Sequence, residues 1–339
     1  MVPVEWPLAA QTADRPVEPA RTRGSRRLAS VRRDFFLDPA YRLTEQERAL
    51  MTTMLHDLVG TVAAEILAAM PANGTHAPDP AELALRLSAA GLLDRLEFVD
   101  LLLRRADEHR IASAFSGRAG PRTLPLLPKL VGDGDAAVAA AAMALVVARG
   151  RRRDAFGQPR IELNDLPSDE AASLANSVAA ALADVFDDHA ALAVAANAIA
   201  TWHAPSDALE ATVAELADAL QAAGRIDDAM IEAAAEDGEA GLLAGLLAHR
   251  AGISAETGWG YLVGGQHDGL ALLARMAGLS RPTAARLIAE FGALSGASVE
   301  EEIGRFDSFG DDEVRAALDW WQLPSDFRAA GAALGANRG

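Results

Sequence analysis

The chain has 339 residues, half of them hydrophobic but only 5% aromatic, a net charge of −17 and no cysteine. That length supports a large core and two domains, while the absence of cysteine excludes disulfides, thiolate metal sites and cysteine nucleophiles. Residues 161–339 hold 9 basic against 29 acidic side chains, a field that repels phosphate backbones, argues against nucleic acid as that half's ligand, and suits a basic protein partner.

Alanine alone accounts for 76 residues. It is the best helix former and a poor strand former, so composition predicts an all-α protein. Residues 1–28 are rich in Pro and Arg without periodicity and read as a disordered tail. They contain no apolar signal-peptide core, which makes the cytoplasm the expected address. Arg21, Arg23, Arg26, Arg27, Arg32 and Arg33 precede Phe35 and Phe36; the cluster reads as a solvated lead-in, or as a docking or membrane-surface peptide.

"TEQE" (44–47) is a capping box. From Leu50 to Met70 apolar residues recur at helical spacing, predicting a helix over 44–70 about 40 Å long at 1.5 Å per residue. Its single stripe packs along the rest of a domain or serves as a homodimer seam. Asp79-Pro80 opens the next helix, which ends at Gly91. Segments 92–105 and 106–115 are amphipathic. Residues 136–148, "AAVAAAAMALVVA", are 13 in number, short of the ~18–20 a membrane span needs. With almost no polar face, that helix is expected to be covered on several sides. "RGRRRDAFGQPRIELNDLP" (149–167) breaks the helical pattern with Arg149, Arg151, Arg152, Arg153 and Arg160. The division drawn from these shifts is an N-terminal helical domain at 29–150, an Arg-rich linker at 151–166, an acidic helical-repeat domain at 167–322 and a flexible tail at 323–339. Within the acidic domain, helices are predicted over about 167–186, 188–202, 206–223, 227–236, 238–251, 254–263, 267–277, 280–294, 298–306 and 310–322.

The acidic domain repeats itself. "LLAHRAGIS" (246–254) and "LLARMAGLS" (272–280) lie 26 residues apart and differ at three positions. In each, a glycine (Gly252, Gly278) stands where a helix ends in a left-handed residue, an apolar residue packs back, and a serine (Ser254, Ser280) caps the next helix. "AAGRID" with Gly224 and "AAGLLD" with Gly91 are looser copies. A recurrent corner means stacked short helix pairs, each burying one face on its neighbour.

The stretch 228–291, the phrase "LVGDGDAAVAAAAMALVVARG" and the segment "RRLASVRRDFFLDPAYRLTEQERALMTTMLHDLV" carry a resemblance to an alphaproteobacterial domain family of unknown function, the last in its sphingomonad branch. The resemblance implies an all-helical, HEAT-like scaffold, preceded here by the long amphipathic helix, with a regulatory role in bacterial signalling and no catalytic residues to carry over. The corner spacing is shorter than the ~40–47 residues of a regular HEAT array.

Candidate chemistry is sparse. Among seven histidines there is no H-E-x-x-H. "FDDH" (186–189) reads as a helix junction. In "GDGD" (132–135), Asp133 and Asp135 occupy calcium-loop positions, but later positions fall on Ala137 and Ala144, which offer no oxygen. The two aspartates read instead as helix caps. "GWGYLVGG" (258–265) lacks the strand a dinucleotide fingerprint requires. No catalytic, metal or cofactor residues are therefore assigned. Arg149, Arg151, Arg152 and Arg153 form a basic knot, and Trp320 and Trp321 an aromatic pair; both features suit a protein partner. The composite expectation is a non-enzymatic helical-repeat scaffold or regulatory protein-binding module. One alternative is an enzyme or small-molecule binder with a pocket between helices. Another is a membrane-surface or nucleic-acid adaptor acting through the Arg-rich N-terminus.

Overall fold

The structure, a computed structural model, describes residues 43–70, 78–116, 124–263, 269–295 and 298–336. The expected tail at 1–28 and the Arg-rich segment behind the adaptor alternative lie outside these residues. Among the described residues the fold is all-α, with an isolated bridge between Arg153 and Pro159 in place of any strand. Sixteen α-helices follow in chain order: α1 Glu45–Ala69, α2 Pro80–Ala89, α3 Leu96–Ser116, α4 Leu126–Val131, α5 Ala136–Arg151, α6 Ser168–Leu182, α7 His189–Trp202, α8 Leu209–Ala222, α9 Asp228–Glu236, α10 Ala240–Ala251, α11 Ala255–Val263, α12 Gly269–Met276, α13 Arg281–Ser295, α14 Val299–Ser308, α15 Asp311–Gln322 and α16 Ser325–Ala336.

Two hydrophobic cores organise these helices, and they interleave along the chain. One gathers α1, α2, the first half of α3, Ile161, Leu166, α6 and α7. The other gathers the end of α3, with Ile111 and Phe115, and then α4, α5 and α8–α15. The boundary expected near residue 150 is therefore corrected: α4 and α5 pack with the C-terminal helices, and α6 and α7 return to the N-terminal core. Composition changes at 150, but packing is decided by which apolar faces meet. α3 is one continuous helix rather than two segments, and it runs through both cores. Arg104, Arg105, Asp107 and Glu108 sit where it passes from one core to the other.

α1 begins on the Thr44–Glu47 capping box, with the Glu47 N–H donating to Thr44 Oγ1 at 3.1 Å and the Thr44 N–H donating to Glu47 at 3.0 Å. Met51, Met54, Leu55, Leu58, Val59, Val62, Ala63 and Ile66 are all buried, packed among α2, α3, α6 and α7. By length and composition α1 is also apolar enough to cross a membrane; its place in the core accounts for that apolarity. The apolar stripe of helix 44–70 is thus packed within the chain, the first of the two arrangements expected for it.

Five helices end alike. Gly91, Gly224, Gly238, Gly252 and Gly278 have φ between 61° and 71°. After each, the next N–H reaches back five residues, as from Ile253 to the Ala248 carbonyl and from Leu279 to the Ala274 carbonyl, both at 3.1 Å. This is the Schellman closure. Gly238 makes a corner that "AEDGEAG" did not announce. Ser254 and Ser280 then cap α11 and α13, accepting from the Thr257 N–H at 3.2 Å and the Thr283 N–H at 3.4 Å. The segment expected to be a tail from 323 carries α16, which lies over the end of the second core. Arg328 stacks 4.5 Å from the Trp321 ring.

Candidate functional site

Where α3, the end of α5, the start of α8 and the Gly238 corner meet, a cleft of about 270 Å³ opens. Arg105, Glu108, His109, Arg149, Arg153 and Glu239 line it, with Asp237 behind. Its floor is a buried ion network. The Asp165 side chain is fully buried and accepts from Arg152 Nε at 2.9 Å and from the Leu209 N–H, which opens α8, at 3.0 Å. Arg105, only 3% exposed, donates to Glu108 and Glu210 at 2.8 Å each and lies 3.8 Å from Asp165. Burial opposes the charge on Arg105, but the Glu108, Glu210 and Asp165 carboxylates hold it protonated. Burial likewise opposes ionisation of Glu210, yet Arg105 and Arg104 bring its carboxyl down to about 2.

The acids at the rim are already engaged. Glu239 pairs with Arg149 at 2.5 Å, Glu108 pairs with Arg105, and Asp237 accepts from the Leu126 N–H at the start of α4. The two groups left over among the described residues are Arg153, exposed and without an ionic partner there, and His109. Burial, then the neighbouring Arg153, lowers the His109 pKa, so the imidazole is neutral near pH 7. Among the described residues, the rim of an acidic molecule thus carries a cation, Arg153, that no carboxylate pairs.

Residues 152–160 form a clamped loop beside this rim. Asp154 Oδ1 accepts from the Phe156 and Gln158 N–H groups, both at 2.8 Å, and Gly157 turns with φ 80°. The Arg160 N–H donates to the Arg152 carbonyl at 2.9 Å. The Arg160 guanidinium anchors the loop to α1 through Asp57 at 2.7 Å. The result presents Phe156 at 89% exposure on a backbone held by its own hydrogen bonds.

The arginine knot therefore divides. Arg149 is half-buried against Glu239. Arg151 is half-exposed, 3.9 Å from Glu162. Arg152 is buried and structural, bonded to Asp165, the Asp207 carbonyl and the Ala148 carbonyl, so a partner cannot reach it. Of the four, Arg153 faces outward without a carboxylate partner among the described residues. Trp321 is also structural, donating from Nε1 to the Tyr261 hydroxyl at 2.9 Å. Trp320 packs on the second core near Gly331 of α16. Of the aromatic pair, Trp321 is thus buried and Trp320 half-buried, both beside α16. Asp135 caps α5 through the Ala137 and Val138 N–H groups, Asp133 pairs with Arg225, and Asp188 caps α7. Gly258 lies where a side chain would meet the Ala244 carbonyl at 2.6 Å, a helix contact. Phe156 was missed as a candidate, although an Asp two residues ahead and a Gly just after it spell an Asx-type turn with the aromatic at its tip.

A family model described as an uncharacterised protein conserved in bacteria (DUF2336) matches residues 87–315, a span that holds the cleft, the loop and all five corners. No curated protein matches the chain, and no solved structure does.

Proposed function

The chain belongs to this bacterial family, and on that premise we propose that it is a non-enzymatic helical scaffold that binds a protein through the Phe156 loop and the adjoining cleft rim. The observation that carries the reading is the pairing of a rigidly held, 89% exposed Phe156 with the unpaired Arg153. An aromatic anchor beside a lone cation is the composition of a binding hot spot. Preorganisation of the loop lowers the entropy lost on association. The partner chemistry that fits is a protein segment placing a carboxylate on Arg153 and an apolar side chain around Phe156. The reading includes a cytoplasmic address and the alphaproteobacterial, sphingomonad-like origin suggested by the resemblance of residues 228–291 and the N-terminal segment, with a role in signalling.

A small-molecule or enzymatic pocket is the weaker reading. At about 270 Å³ the cleft lies at the floor of the ~300–1,000 Å³ typical of ligand pockets, and its carboxylates are already committed to arginines or helix caps.

Crosslinking mass spectrometry in the native host tests the proposal. We expect partner crosslinks on residues flanking 153–159. We expect Phe156→Ala combined with Arg153→Glu to weaken partner binding about tenfold or more, with helical content unchanged. Equal recovery of every partner by wild type and double variant would refute the assignment.

A further inference from the structure

The Phe156 loop calls for an occupant with a carboxylate beside a side chain large enough to cover a ring, and the chain carries such a segment itself. The backbone enters the loop from the last turn of α5, whose outer face is bare rather than covered on several sides as its sequence leads one to expect: Met143 is 47% and Val147 53% exposed. Ahead of the described residues, "VEWPLAA" (4–10) sets Glu5 next to Trp6, with Leu8 two residues on. The other segments outside the described residues fit less well. "PANGTHA" (71–77), "GRAGPRT" (117–123), "GA" (296–297) and "NRG" (337–339) hold no carboxylate, and "GGQHD" (264–268) holds no large apolar side chain. "DFFLDPAY" (34–41) holds both, but Arg32, Arg33 and Arg42 flank it and would be set against Arg153. Residues 1–20 carry three acidic side chains and one basic, residues 21–33 six arginines and no acid. The acidic stretch therefore suits the Arg153 rim, while the arginines behind it are drawn to the acidic half of the molecule.

We propose that Glu5 and Trp6 of the same chain dock on this loop, Glu5 pairing with Arg153 and Trp6 covering Phe156, so that the site is self-occupied until a partner displaces them. The docking rests on the reading of the loop as a protein-binding surface. Reach permits it. α1 starts at Glu45, and Asp57, which holds Arg160 of the loop at 2.7 Å, lies about 18 Å further along that helix at 1.5 Å per residue. Phe156 is four residues from Arg160, at most about 14 Å of chain. With the two side chains between them, Phe156 is therefore no more than roughly 40 Å from the start of α1. The 37 residues between Trp6 and Thr44 span about 55 Å even when wound as helix, and more when extended. The affinity required is small. A tethered ligand meets its site at an effective concentration on the order of millimolar. An intrinsic dissociation constant of about 0.1 mM then leaves roughly one-tenth of the sites open and weakens partner binding about tenfold.

The chain has no cysteine, so two introduced thiols read the occupancy of the loop on the full protein, without the partner. Val4→Cys with Ala155→Cys, the latter exposed beside Phe156, is compared with Val4→Cys and Val194→Cys, a control on the exposed side of α7. On mild oxidation the loop pair is expected to close an intramolecular disulfide about tenfold faster than the control pair or better. Glu5→Arg or Trp6→Ala, added to both pairs, should remove that advantage. Arg153→Glu added to Glu5→Arg should restore it, because both charges are then reversed. With the cysteines absent, Glu5→Arg should raise partner affinity about tenfold. The docking is overturned if the loop and control pairs close at equal rates, or if Glu5→Arg leaves the advantage intact. It is equally overturned if the product is a disulfide-linked dimer, which would put the segment of one copy on another. The two readings fail separately. Equal rates on a loop that does capture a partner sink the docking alone. A fast loop pair supports the docking, even where Phe156→Ala with Arg153→Glu leaves every partner bound and the partner site is refuted.

Discussion

At the scale of single residues, the corners separate two costs that glycine avoids. Gly252 and Gly278 have φ of 66° and 61°, with nothing within 4 Å of where a Cβ would stand. A side chain there meets only backbone strain, roughly 1–2 kcal/mol for a residue held in the left-handed region. Gly238 has φ 68°, but its added Cβ would lie 2.6 Å from the Phe115 ring, which is packed against Phe291 at 5.2 Å between centroids. Urea denaturation should therefore rank the variants. Gly252→Ala and Gly278→Ala are each expected to lose about 1 kcal/mol, their valine counterparts somewhat more, and Gly238→Ala more than 2 kcal/mol because a clash adds to the strain. Equal losses at all three positions would show that the Phe115 contact costs nothing, and no loss at Gly252 or Gly278 would remove the corner reading.

At the scale of elements, the repeated phrase turns out to be a lock between its own copies. Arg250, in the first copy, donates through Nε to the Ala277 carbonyl and through NH2 to the Gly278 carbonyl, both at 2.8 Å. It thereby caps the helix that ends in the second copy. Its third bond goes to Asp228 at 2.6 Å, and Asp228 accepts the Ser280 N–H at 3.0 Å, so the start of α9 is tied to both corners. Partial burial works against ionisation of Asp228, but Ser280 and Arg250 bring its pKa from 3.8 down to about 2. A carboxyl that binds its proton more weakly folded than unfolded contributes stability above about pH 4 and loses it as pH falls through about 2. Asp228→Asn should thus cost roughly 1 kcal/mol near neutrality, after allowance for solvent screening. The gap between the two melting curves should close between pH 4 and pH 2; a gap that persists at pH 2 would place the effect elsewhere. Such elements were readable from sequence because caps, left-handed glycines and apolar periodicity are local chemistry. Helices α6–α15 begin and end within a few residues of their predicted limits. What could not be read was which face meets which. Arg152 looked like surface charge until the fold buried it on Asp165, the α5 face looked covered until packing left it bare, and α16 carries few of the apolar positions that announce a helix.

At the scale of the whole molecule, two cores must be held to one another, and the junction is polar. α3 passes through both, and at its crossing Asp165 sits on a 3₁₀ turn, Leu163–Asp165, between them. Its carboxylate receives Arg152 from the end of α5, the Leu209 N–H from the start of α8 and the Glu162 N–H at 3.0 Å. An ion pair of this kind stabilises little relative to a well-packed apolar contact, because both charges lose their hydration. Removing one member is a different matter, since it leaves a buried charge uncompensated. Arg105 would keep Glu108 and Glu210, whereas Arg152, 2% exposed, would keep one carboxylate, Glu162 at 3.1 Å, beside the Ala148 and Asp207 carbonyls. Asp165→Asn retains the shape and one acceptor but not the charge, so it is expected to cost about 3 kcal/mol, near the low end of what breaking a buried pair costs. Asp218→Asn, 69% exposed beside His249, should change stability by less than about 0.5 kcal/mol. Hydrogen exchange locates the loss. If the network couples the cores through α3, protection should fall in α6 and α7 of one core as well as in α8 and α10 of the other. Loss confined to α8 would instead mean that Asp165 serves as no more than the cap of that helix, and that the two cores are joined by α3 alone.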